Sequence, residues 1–151
     1  MGFELDTAVA YGNVCETTMD VDGQTLVVTF APDPHGGPET LWFCFRLRHR
    51  EADDLPGADV TKIRLVLKHA YNMLGGGDLQ VMRPVMRTES LDWKRLPTGV
   101  VHHLPDGRSQ VAWTVDAPER YLDLAYCYPY GTDDVETLME ETGGYWRADT
   151  I

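Results

Sequence analysis

Side chains able to bind a metal or attack a carbonyl are present in this sequence, but not at the spacings such chemistry needs. None of the five histidines belongs to an H-x-x-E or H-x-x-x-H pair, the spacing that puts two ligands on one helical face. His102 and His103 are adjacent, so on a strand they point to opposite sides and cannot grip one ion. Ser90 and Ser109 are the only serines, and neither sits in G-x-S-x-G. The three cysteines, Cys15, Cys44 and Cys127, lie in strand-like stretches without metal-type spacing. Their odd number and context read as reduced, mostly buried thiols of a cytoplasmic protein. Asp20-Val21-Asp22-Gly23 opens like a calcium loop but lacks the later ligands and the closing Glu. Gly75-Gly76-Gly77 has no Lys or Ser/Thr after it to complete a phosphate cradle. The expectation is a chain without catalytic residues, metal or cofactor of its own.

Aromatic residues are the other class that could contact a ligand. Trp42, Trp93, Trp113 and Trp146, with Tyr121, Tyr126, Tyr128 and Tyr130, could stack on a sugar or a peptide. Trp113 reads as core, whereas Trp93 is a candidate for ligand stacking. Trp42, Tyr126 and Tyr128 share strands with apolar residues of opposite parity. Large apolar groups on both faces of a strand point to a face that meets another domain.

The elements that must carry these residues are mostly strands. Alternation with period two puts Leu26, Val28 and Phe30 on one face of Gln24–Phe30. Over Leu41–Arg48 it puts Phe43, Phe45 and Leu47 on one face, with Trp42, Cys44 and Arg46 on the other. Thr61–His69 alternates Ile63, Leu65 and Leu67 with Lys62, Arg64 and Lys68. Weaker strands are predicted near Leu79–Met86, Asp92–Leu96, Gly99–Leu104, Ser109–Val115 and Tyr121–Tyr128. Asp22-Gly23 and Asp106-Gly107 supply tight hairpin turns. Residues 32–38, 52–57 and 75–77 read as loops. Only the tail reads as helix: Thr132 as its cap, Asp133 and Asp134 at its positive end, and Val135, Leu138 and Met139 as one stripe closed by Gly143-Gly144. Glu136 and Glu140 repel across one turn, so a helix this short is expected to need docking. Tyr145 and Trp146 then add apolar surface.

The fold class expected is all-β, an antiparallel β-sandwich over residues 1–130, followed over 131–151 by a short acidic helix and tail. The length, 151 residues, fits one domain with a sizeable core. A net charge of −11, from 24 acidic and 13 scattered basic residues, argues against nucleic acid and against an anionic membrane as partners. The acidic start Met1-Gly2-Phe3-Glu4-Leu5-Asp6 lacks the positive region of a secretory signal. The longest apolar runs are too short to span a bilayer.

Several segments, in order, resemble the N-terminal β-sandwich domain of zinc metallocarboxypeptidases of the cytosolic carboxypeptidase type. Gly12-Asn13-Val14 is similar to that domain's opening strand, and Trp42-Phe43-Cys44-Phe45-Arg46-Leu47 to its W-F-x-F-R signature. Arg83-Pro84-Val85 and then Asp92-Trp93-Lys94-Arg95 resemble its R-P-V and following Trp segments. The run Tyr121-Leu122-Asp123-Leu124-Ala125-Tyr126-Cys127-Tyr128-Pro129-Tyr130 resembles its Y-F-A-Y-x-Y-P-Y hallmark. The sequence departs from the pattern at Gly131-Thr132-Asp133-Asp134, where the family tends to have another aromatic and a Ser.

The resemblance implies a noncatalytic accessory domain that packs against a peptidase domain in cis and shapes its substrate cleft. Zinc and the general base would belong to that following domain, because nothing in this sequence matches its H-x-x-E pair or later His. Tyr126, Tyr128, Pro129 and Tyr130, with Trp42 and Arg46, are the residues it implies at the interdomain or cleft-facing surface. Arg46 would pair with an acidic group across that interface. The alternatives are a free-standing carbohydrate-binding sandwich using Trp93, or a protein-binding module or homo-oligomer using the aromatic face.

Overall fold

The computed structural model describes residues 2–36, 40–50, 60–73 and 78–143, and its framework is ten strands in two five-stranded sheets. In spatial order, the first sheet contains β1 (Phe3–Asp6), β4 (Cys44–His49), β10 (Tyr121–Ala125), β6 (Val85–Thr88) and β7 (Lys94–Arg95). The second contains β2 (Cys15–Asp22), β3 (Thr25–Ala31), β5 (Lys62–Leu67), β9 (Ser109–Asp116) and β8 (Val100–His103). This is the expected all-β sandwich.

Period-two alternation explains why the two sheets stack. Phe45 and Leu47 of β4, Leu122 and Leu124 of β10, and Ile63, Leu65 and Leu67 of β5 are all fully buried in one core. Phe30 of β3 crosses between the sheets, meeting Phe43 at 5.2 Å and Phe45 at 4.8 Å edge to face. Such pairs add about 0.5–1.5 kcal/mol to what burial alone supplies. Trp113 joins this core, as its position in β9 predicts.

One pairing departs from an all-antiparallel sandwich. β3 and β5 run parallel, with Thr25 opposite Lys62 through to Phe30 opposite Leu67. The chain leaves the second sheet after β3, contributes β4 to the first, and returns, and such a crossover permits parallel pairing where a tight hairpin does not. Both Asp-Gly sites turn the chain between paired strands. Gly23 (φ 57°) and Gly107 (φ 82°) take the left-handed backbone that glycine adopts freely. In the first hairpin Asp22 pairs with Thr25, so the loop itself is Gly23-Gln24, one residue later than expected.

Other boundaries moved for identifiable reasons. The first strand is Phe3–Asp6, whereas Gly12-Asn13-Val14 is an irregular connector whose Asn13 amide donates to the Cys44 carbonyl at 2.9 Å. Gly12 sits there because a Cβ would lie 1.9 Å from the Thr7 carbonyl oxygen. Within Leu79–Met86, Leu79–Val81 is a 3-10 turn capped by Asp78, and the strand starts only at Val85, after Pro84. Proline has no amide to give a ladder. The helix α1 (Thr132–Glu141) forms as predicted, but its cap is Gly131, whose amide donates to Asp134 Oδ2 at 2.7 Å. No residue of α1 is buried, and Val135 and Leu138 are each 42% exposed. The readings made for Gly75-Gly76-Gly77, Gly144, Tyr145 and Trp146, and for residues 37–38 and 52–57, lie outside the described residues.

Candidate functional site

Alternation that buries Leu122 and Leu124 must turn Asp123 to the outer face of the first sheet. There it stands directly opposite Arg46 on β4 and Arg87 on β6. Arg46 grips its carboxylate with two bonds, Nε to Oδ1 at 2.5 Å and Nη2 to Oδ2 at 2.8 Å. Arg87 donates Nε to Oδ2 at 2.9 Å, with Nη2 2.8 Å from the same oxygen. The Asp123 side chain is only 6% exposed, so desolvation makes these charge-assisted bonds a strict requirement. The bond to Asp123 pushes the Arg46 guanidinium up from its ordinary value.

Aromatic rings hold both guanidinium groups in place. Arg46 lies over Tyr121 at 4.4 Å and Arg87 over Trp93 at 4.8 Å from the ring centroid. Two residues along β4, Arg48 donates to Asp6 at 2.6 Å. Arg46, Arg48, Arg87, Asp6, Asp123 and Trp93 line a cleft of about 410 Å³, walled also by Val9, Ala10 and Pro129. Beside it Cys44, Val85 and Ala125 form a small apolar cluster under Val9, Trp42 and Trp93. The 7–14 connector is tied over this cluster: Trp42 Nε1 donates to the Tyr11 carbonyl at 2.8 Å, and Asn13 Nδ2 to the Trp42 carbonyl at 3.0 Å.

The residues expected at an interdomain surface therefore separate into two groups. Trp42 and Arg46 belong to the outer face of the first sheet, and the acidic partner of Arg46 is Asp123 of the same chain rather than a group across an interface. Pro129 lines the cleft. Tyr126 turns inward, packing edge to face on Phe43 at 5.8 Å, and burial pushes its hydroxyl pKa up. Tyr128 and Tyr130 remain 49% and 60% exposed, with Arg95 over the Tyr128 ring at 5.4 Å. Trp93 is half-buried, with one face covered by Arg87. Asp123 and Arg87 were missed as site residues, and Tyr121, expected only among the possible stacking aromatics, instead lies under Arg46. The signal for Asp123 was present, a carboxylate between two core leucines, but its partners sit on strands 77 and 36 residues away in sequence.

Among the described residues no group of three His, Cys, Asp or Glu side chains converges as a metal site would need. His102 contacts Arg64 and His103 contacts Ser109, on separate sides of β8. No helix among the described residues is long and apolar enough to cross a membrane. The three thiols are free, and they differ in burial: Cys44 is buried, Cys15 half-buried and Cys127 exposed. Burial, reinforced by the Asp123 charge, pushes the Cys44 thiol up to about 11. A thiol labels through its thiolate. At pH 8, then, an aromatic disulfide reagent is expected to modify Cys127 within minutes and Cys44 only after denaturant is added. Mass mapping of the labelled peptides checks the order.

No family model matches the sequence, and no curated protein matches it. Solved structures do match. A metallo-carboxypeptidase from Pseudomonas aeruginosa, in complex with (2-guanidinoethylmercapto)succinic acid, superposes with a TM-score of 0.59 at 18% identity, over 93% of this chain and 34% of that one. A metallo-carboxypeptidase from Burkholderia cenocepacia gives a TM-score of 0.62 at 13% identity, over 94% and 33%. The chain thus spans about a third of the length of these structures, and its fold is that of one segment of larger metallo-carboxypeptidase chains.

Proposed function

We propose that this chain is the noncatalytic N-terminal sandwich of a metallocarboxypeptidase of the cytosolic type, which packs in cis against a peptidase domain and shapes the mouth of its substrate cleft. The observation that carries this reading is the one-third coverage: almost the whole chain superposes, and only on part of each carboxypeptidase. The exposed run of Tyr128 and Tyr130, followed by Val135 and Leu138 of a helix with no buried residue, supplies an apolar surface suited to such packing. Zinc and the general base would reside in the adjoining domain, where the metal would polarise the scissile carbonyl and activate water. This chain's part is to support and orient. A sugar-binding role for Trp93 is less favoured, because Arg87 already covers one face of the indole.

The test starts with the reading frame beyond Ile151. If it continues into H-x-x-E and a later His, hydrogen exchange on the longer protein is expected to show slower amides over residues 128–139 than in the 151-residue chain. Combining Tyr128→Ser, Tyr130→Ser and Leu138→Ser should lower the Tm of the longer protein by several degrees and leave the shorter one nearly unchanged. A frame that stops, or equal exchange in both proteins, overturns the reading.

A further inference from the structure

The outer-face cleft has an imbalance at its floor. Two guanidinium groups, Arg46 and Arg87, share the single carboxylate of Asp123. Both bind it with their Nε and Nη2 atoms. A guanidinium carries five N–H donors, so each arginine keeps Nη1–H groups, and among the described residues none of these has an acceptor. The groups are also preorganised, since Asp123 fixes each fork and Tyr121 and Trp93 fix each plane.

The remaining charges in the cleft are already engaged. Arg48 and Asp6 neutralise each other, and Asp134 at the rim accepts from the Gly131 amide as the cap of α1. Three guanidinium groups and three carboxylates line the cleft, so its charge sums to zero, but the floor itself, Arg46 and Arg87 against Asp123, carries one net positive charge in a chain of net charge −11. A volume of about 410 Å³ falls in the range of small-molecule sites. The lining also includes apolar groups, among them Val9, Ala10 and Trp93.

We propose that this cleft binds a small organic acid, its carboxylate on the free N–H groups of Arg46 and Arg87 and its carbon chain against Val9, Ala10 and Trp93. Guanidinium forks match the planar carboxylate, and the single net positive charge of the floor, with the Asp134 carboxylate at the rim, favours a monoanion over a polyanion. A carboxylate borne by a protein side chain shares this chemistry, but the recess fits a free acid better than a residue flanked by two peptide groups. The assignment does not depend on whether a peptidase domain adjoins the chain.

The experiment is an NMR titration of the 151-residue chain with butyrate at constant ionic strength, following the Arg87 Nε–H and Trp93 indole N–H signals. Saturable shifts with a Kd of about 1–10 mM are expected, with none from butyramide, which keeps the shape and loses the charge. Arg87→Gln should abolish the shifts, and Arg108→Gln, on the other sheet, should leave them. Should Arg87→Gln fail to fold, Ala10→Phe fills the recess without touching the arginines and is expected to weaken binding at least tenfold. Shifts of equal size with butyramide, binding that survives Ala10→Phe, or absence of saturation overturns the proposal. Acetyl-glutamate-amide binding as tightly as butyrate overturns the preference for a free acid.

Discussion

Replacing Asp123 with alanine is expected to lower the free energy of unfolding by about 3 kcal/mol, measured as a shift of the urea midpoint. The reason is electrostatic. Arg46 and Arg87 would keep their positions on the sheet, one in each neighbouring strand, and lose the acceptor that each was built around. Their side chains are 25% and 39% exposed, so water recovers part of the loss, which places the effect at the low end of what breaking a buried pair costs. For a chain of this size the Tm is expected to fall by about 6–12 °C. The triple change Asp123→Leu, Arg46→Met and Arg87→Met separates charge from packing. It removes all the buried charge together and is expected to recover most of the stability. If Asp123→Ala costs less than about 1 kcal/mol, the clamp is an ordinary surface pair.

The second large effect belongs to the core. Phe45 is fully buried and meets Phe30 edge to face at 4.8 Å, so it joins the inner faces of the two sheets. Phe45→Ala removes most of a benzyl group from a site bounded by strands on both sides. The expected loss is about 3–5 kcal/mol, part of it transfer free energy and part the cavity left behind. Phe45→Leu keeps more of the volume and should cost less than half as much. Equal losses for the two variants would show that the edge-to-face geometry, rather than volume, carries the stability. For a domain whose total stability is of the order of 5–15 kcal/mol, either Phe45→Ala or Asp123→Ala approaches the limit of what folding tolerates.

These two residues show how much of the molecule was legible in its sequence. Phe45 was readable, because alternation with Cys44 and Arg46 assigns it to a buried face whichever strands lie beside it. The same local rule located Leu122 and Leu124, and thereby sent Asp123 outward. The turns at Gly23 and Gly107 were readable because a positive φ has few other occupants. The helix over 132–141 was readable from its apolar stripe and its acidic first turn, although its cap lies one residue earlier, at Gly131.

What the sequence could not convey was which strand lies beside which. Arg46 looked free to reach across an interface because Asp123 is 77 residues away in the chain, and local periodicity says nothing about lateral order in a sheet. β1 was missed because four residues are too few to establish an alternation, and it is recruited only by its ladder with β4. The parallel pairing of β3 with β5 likewise depends on β4 having crossed to the other sheet. The sequence by itself determined the longer strands β3, β4, β5, β9 and β10, the two Asp-Gly turns and the helix, and the inward face of the alternating strands, since those follow from forces acting within a few residues. Only the tertiary structure decided that Arg46, Asp123 and Arg87 meet above one sheet, because that meeting is fixed by the order and register of strands far apart in the chain.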